Sequence, residues 1–308
     1  IYLGILVSLA VISRRKVKNA DDFMMGGFNI GYFLGFMTFA ATLFSTFTLM
    51  GMPDFFRTHG VGAWIFLAVT DGVMVFMVLW FGYYLRKKAG GKTFQGMSGL
   101  LVKCYGNKWS GYVYFIGIFL FLIPYVSIQI RGISIFLDAA FNHALPSWGW
   151  ATLILFIMLL YSETGGLKAI MYSDVFQGVL LMTVVWLVAY NCVQNLDGIK
   201  QMFVEVKNTN EALLSTPGPK GLFSAQFLIG SLIAIVMIPV TQPQISSRLV
   251  IMKNQSSMNR MAVAVGCFAI LVILPTIAIG MYGAVKYAEL PTSDFLSQVL
   301  LFDQVGIV

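Results

Sequence analysis

Residues 149–161 read GWATLILFIMLLY, thirteen consecutive positions without a charge. The run does not suit a strand of a membrane barrel, where lipid-facing and lumen-facing residues alternate over about ten positions. A helix is the other structure that satisfies every backbone polar group inside hydrocarbon. Extended to 147–163, the run approaches the roughly 20 residues that carry a helix across the hydrocarbon core. Comparable blocks recur at 31–52, 61–85, 110–139, 170–194, 222–249 and 258–285. Residues 1–13 read as the remnant of a further helix, because Arg14, Arg15, Lys16 and Lys18 follow the apolar run instead of preceding it as in a secretory signal. The start and the end at Leu301–Val308, which has neither a cap nor a charged tail, both read as truncations.

Composition supports a chain solvated by lipid. Of 308 residues, 58% are hydrophobic and 11% are charged, and mean hydropathy is +0.81. A soluble domain of this size needs more charge on its surface. The net charge of +7 does not point to nucleic acid, because the basic residues gather at the ends of apolar blocks. With the loop after residue 13 on the cytoplasmic side, 14 basic residues fall inside and 5 outside, leaving Arg131 within a span. That bias is the one cytoplasmic loops carry. Cys104, Cys192 and Cys267 are far apart, and His59 and His143 have no metal-ligand spacing with other residues. Between the spans, residues 93–106 suggest an amphipathic surface helix. Residues 195–221, with Asn208, Asn210, Pro217, Gly218 and Pro219, suggest a loop carrying a short helix.

Two spans are interrupted. Thr42, Ser45, Thr46, Thr48, Gly51 and Pro53 fall in or just after the first, and Pro239, Thr241, Gln242, Pro243 and Gln244 fall in the other. Proline removes a helix hydrogen bond and glycine loosens the backbone. One such break is an ordinary kink. A pair, four spans apart, points to a transporter whose broken helices line a midplane site.

Residues 161–178, YSETGGLKAIMYSDVFQG, resemble the sodium:solute symporter family, in which Tyr161, Gly165, Gly166, Ala169, Ser173, Asp174, Gln177 and Gly178 match a cytoplasmic loop and the helix after it. KNADDFMMGG (18–27), FAATLFSTFTLMG (39–51) and QPQISSRLVIMKNQSSMNRMA (242–262) are similar to other family segments, in the same order. The resemblance implies an all-α, polytopic transmembrane bundle with an inverted-repeat core. A complete first repeat would occupy 31–194 and the first two helices of the second would occupy 222–285, all within one domain.

Site residues follow from the same likeness. The backbone carbonyls of Ala40 and Leu43 match positions that hold sodium, which takes oxygen ligands as other hard cations do. Asp174 matches a carboxylate that some members use for a second sodium, with Ser173 beside it. Read without the likeness, Asp174 is equally a helix-end cap. Gln129 resembles a family glutamine, and Asp71 lies about a turn deeper than a family substrate contact. Other readings come from the residues alone. A charge at Asp71 demands a polar cavity, a protonated state or a hydrogen-bonding neighbour. Arg131 would bind a solute carboxylate bidentately, pair with Asp71 or snorkel. Gln242 offers both donors and acceptors to a solute, and Phe44 and Phe47 would wall the site. The expected protein is a multi-pass cell-membrane symporter of sodium and a small polar solute. It is not an enzyme, its partners are the solute, sodium and lipid, and it takes no nucleic acid and no cofactor beyond the coupling ion. The rival reading is the transporter-like sensor domain of a signalling protein.

Overall fold

The computed structural model describes residues 2–14, 23, 25–44, 47–90, 94, 96–141 and 143–303. These residues form helices and turns, with no strand among them beyond one parallel bridge between Ile30 and Met252. Helix α1 is Tyr2–Arg14, α2 Tyr32–Leu43, α3 Met52–His59, α4 Thr70–Ala89, α5 Gly96–Tyr105 and α6 Lys108–Ala140. A long bent stretch, α7, covers Ser147–Gln194. Then follow α8 Ile199–Asn210, α9 Ala225–Val236, α10 Ile238–Thr241, α11 Pro243–Val250, α12 Gln255–Lys286 and α13 Thr292–Ser297. Turns of π-helix at Phe47–Gly51 and Ile65–Val69 lead into α3 and α4.

Four stretches are long and apolar enough to cross a membrane: Ile65–Ala89, Lys108–Ala140, Gly166–Gln194 and Gln255–Lys286. A fifth is the bent pair Tyr32–Leu43 and Phe47–His59, at 55°. Local chemistry sets the ends. Asn107 accepts from the Trp109 amide at the start of α6, and Asn254 from the Ser257 amide at the start of α12. Such caps satisfy amides that a helix leaves unpaired at its first turn.

Two sequence expectations are refined here and a third is met. The spans expected at 147–163 and 170–194 are two arms of α7, turned at Gly166 without an intervening loop. Gly166 has φ 61° and ψ −159°, a region open essentially to glycine. Its bare α-carbon faces Phe23, into which any Cβ would collide. The span expected at 222–249 is cut into α9, α10 and α11, because Pro239 and Pro243 each begin a new helix. The polar stretch 195–221 carries the expected short helix, α8, and α8 and the following turn bury Met202, Val206 and Leu213.

Helix α12 is the hub, packing against α2, α3, α4, α7 and α8. Lipid tails are as apolar as leucine, so close fit, not transfer from water, holds helices together in a bilayer. Glycines provide that fit. Gly35 of α2 and Gly82 of α4 receive Met252 and Met258, and Gly280 and Gly283 let α12 approach Phe56 and Phe295. Outward faces stay apolar, as on α6, where Tyr112, Phe115, Phe119 and Phe121 are exposed.

Candidate functional site

The first helix break follows Ala40–Leu43. Phe44 turns extended (φ −94°, ψ 101°), while its N–H still donates to the Ala40 carbonyl at 2.8 Å. Ala40 is buried and Leu43 half-buried, and both offer only main-chain oxygen to an ion. Phe44 is buried against Phe268 at 5.5 Å, whereas Phe47 is exposed. Ser45 and Thr46, two of the residues that motivated the expected break, lie outside the described residues.

The second break centres on Gln242, also extended (φ −100°, ψ 112°). Its carbonyl accepts from the amides of Ile245 and Ser246 at 3.1 and 3.0 Å, which starts α11. Its side-chain oxygen accepts from Gln244 Nε2 at 2.8 Å. A cavity of about 530 Å³ opens between residues 240–244 and the first half of α6.

Asp174 ties the elements together. Thr38 Oγ1 of α2 donates to Asp174 Oδ2 at 2.5 Å. Arg248 Nη2 of α11 lies 3.5 Å from the same oxygen, and Arg248 Nε donates to the Thr38 carbonyl at 3.2 Å. Asp174 stands eight residues beyond Gly166, two turns inside its arm of α7. That position removes the helix-end cap reading, since the dipole effect fades after the first turn. Both side chains are nearly dry, 13% exposed for Asp174 and 12% for Arg248. Ser173 is buried, but its hydroxyl donates back to the Ile170 carbonyl at 2.8 Å and is thus engaged in its own helix.

The other expected residues stand on α4 and α6. Asp71 occupies the first turn of α4 and has no ion pair or hydrogen bond with any described residue. Gln129 has a buried, unpartnered Oε1. Arg131, expected as the cation inside the bundle, is exposed on α6 and makes no ion pair with Asp71 or with any other described residue. The reason is helical geometry: residues two apart point about 200° away from one another. With Gln129 turned inward, Arg131 turns out. Two cations that the charge count placed in loops have little exposed side chain instead. Arg248 is the first. Arg57 of α3 is the second; it donates to Asp54 Oδ1 at 2.8 Å and to the carbonyls of Tyr287 and Ala288 at 2.5 and 3.2 Å. Thr292 closes that outer knot on Asp54 Oδ2 at 2.8 Å.

The site thus consists of two broken helices, linked by the Arg248–Thr38 hydrogen bond and both tied to Asp174 of α7. The model of the Sodium:solute symporter family matches residues 23–301, and the chain belongs to that family. It is 22% identical to the sodium/pantothenate symporter of Haemophilus influenzae, over 97% of this chain and 62% of that protein. It is 25% identical to sodium/proline symporter 2 of Staphylococcus saprophyticus, over 99% and 61%. The chain thus spans about three fifths of the length of these relatives. A solved Na+-coupled sialic acid symporter, substrate-bound and outward-open, shares the fold with a TM-score of 0.80 at 20% identity, covering 96% of this chain and 63% of that one.

Proposed function

We propose that this chain is the ion- and solute-binding part of a sodium-coupled symporter that carries a small polar solute by alternating access, without covalent chemistry. The observation that carries the reading is the Thr38–Asp174–Arg248 cluster, which joins the two broken helices to the long arm of α7. Sodium would meet main-chain oxygen at Ala40 and Leu43, with Asp174 and Ser173 forming a second station. The solute would be bordered by Phe44, Asp71, Gln129 and Gln242. Phe47 and Arg131, both exposed, fall outside the proposed set. In this scheme α2 to α7 make up the first repeat, and α9 to α12 begin the second.

Asp174 gives the scheme a coupling step. One carboxylate oxygen is shared by a hydroxyl and a guanidinium. A sodium ion that takes this oxygen competes with Arg248 and repels it. Ion arrival then loosens α11 from α2 and α7, which is the kind of differential contact a conformational change requires. The test uses the full-length protein in proteoliposomes and three labelled solutes, pantothenate, proline and sialic acid. Sodium-driven uptake of one of them supports the reading. Uptake indifferent to a sodium gradient would oppose it.

A further inference from the structure

The stretch from the end of α4 to the start of α6 is basic throughout. Arg86, Lys87, Lys88, Lys92, Lys103 and Lys108 fall in it, and no Asp or Glu occurs between Asp71 and Asp138. Arg86 is engaged inside the fold, where its Nη1 donates to the Leu249 and Val250 carbonyls at 2.8 and 3.0 Å. Lys92 lies outside the described residues. Lys87, Lys88, Lys103 and Lys108 are exposed and make no ion pair with any described residue.

Basic residues alone would follow from topology. Two further features go beyond it. Trp80, Tyr83 and Tyr84 stand one to two turns before Lys87 and Lys88, and Tyr105, Trp109 and Tyr112 bracket Lys108. All six rings are exposed. Tyrosine and tryptophan settle at the level of lipid headgroups, so the lysines beside them reach the same plane. The second feature is α5, which is fixed to α6. Ser98 Oγ donates to the Gly111 carbonyl at 3.1 Å, and a Cβ at Gly111 would meet Val102 at 2.5 Å. With Leu100 buried in protein, the end of α5 that carries Lys103 is left to face outward.

We propose that Lys87, Lys88, Lys103 and Lys108 form a docking surface for the headgroups of anionic phospholipids, and that a docked lipid steadies the C-terminal end of α11. Polybasic segments beside a transmembrane helix are drawn to the negative surface of the cytoplasmic leaflet, the side to which the basic bias assigns this stretch. A lipid brings its phosphate to this plane with its acyl chains against the exposed apolar side of α6, at Val113 and Ile116. The link to α11 is direct. Helix α5 packs against α11, Leu100 shares a buried cluster with Ile245, Leu249 and Val250, and Arg86, adjacent to Lys87, holds the last carbonyls of α11.

The experiment titrates full-length protein in neutral detergent micelles with fluorescent phosphatidylglycerol and, in parallel, the matching phosphatidylcholine. Wild type should bind the anionic lipid roughly tenfold or more tightly, since each lysine at the headgroup plane is worth about fivefold. The preference should shrink in about 1 M salt, where the Debye length falls to about 3 Å. Changing all four lysines to Gln should remove it and leave the lipid-free melting midpoint unchanged, because no described partner is lost. Changing them to Arg should keep it. Lys200, Lys207, Lys220 and Lys286, exposed in segments assigned to the other side, supply the control: their fourfold Gln variant has the same net charge and should keep the preference. Hydrogen exchange in 243–250 should slow when the anionic lipid is added to wild type and not to the first Gln variant. No preference in wild type contradicts the proposal, as does one that survives the first Gln variant or resists salt. Equal loss in the control would reduce the effect to net charge, and displacement by millimolar inorganic phosphate would assign the surface to a soluble anion; either overturns the lipid assignment. Exchange in 243–250 that ignores the lipid overturns the link to α11. Neither readout uses transport, so the proposal stands or falls apart from the symport reading.

Discussion

Asp174 and Arg248 share one buried contact, and each would be costly alone. Removing one partner of a buried ion pair typically costs about 3–5 kcal/mol, whereas removing both costs much less. Arg248→Gln should therefore lower the thermal midpoint of the full-length protein more than Arg248→Gln combined with Asp174→Asn. Fluorescence-detected melting in sodium-free buffer measures the cycle, and additive losses would show that the pair carries no coupling. Arg131→Gln should behave differently. The residue is exposed and unpaired among the described residues, so its uptake KM and melting temperature should stay near wild type. A selective loss of carboxylate solutes in that variant would return Arg131 to the site. This distinction was available beforehand from helical spacing, because Gln129 and Arg131 sit two apart and cannot face one cavity together. The partnership of Asp174 with Thr38 was not legible, since 136 residues separate them and only the packing of α2 on α7 brings them into reach.

Among the elements, the bends are where the proposed mechanism would act. Gly166 turns α7 in a conformation that costs other residues about 1–3 kcal/mol, and Phe23 leaves no room for a side chain. Gly166→Ala should thus destabilise the protein by at least that amount, read as a lower melting temperature. Gly72→Ala, where a Cβ meets nothing within 4 Å, is the matched control and should be neutral or slightly stabilising. Both helix breaks were visible as Gly, Pro and hydroxyl clusters, because Gly and Pro act through their own backbone and Ser and Thr bond to the main chain nearby. The division of 222–249 into three helices follows from two prolines four apart, each of which starts a new helix. The short helix expected in 195–221 is α8, but its burial through Met202 and Val206 was less visible among its polar residues.

At the scale of the molecule, two polar knots tie separate elements together. One joins α2, α7 and α11 through Asp174. The other joins α3 to the segment after α12 through Arg57, Asp54 and Thr292, with Phe295 stacked 4.6 Å from the guanidinium. The outer knot should hold α3 and residues 287–295 as one moving body, so Arg57→Ala should cut uptake and stability together, whereas breaking the inner knot should alter sodium dependence. Fold class was legible because block length and basic-residue bias are properties of the chain itself. The knots were not, because Arg57 and Arg248 both sit at the ends of apolar blocks, where a count of charges assigns them to loops. The most direct measurement of the proposed sodium coupling through Asp174 is solute uptake into proteoliposomes containing full-length protein, titrated against external sodium for wild type and Asp174→Asn. Wild-type uptake should follow an inward sodium gradient and collapse when an ionophore dissipates it, and the asparagine variant, checked for folding, should need roughly tenfold or more sodium for half-maximal rate because an amide supplies no charge. Unchanged sodium affinity and stoichiometry in a folded variant would contradict the account.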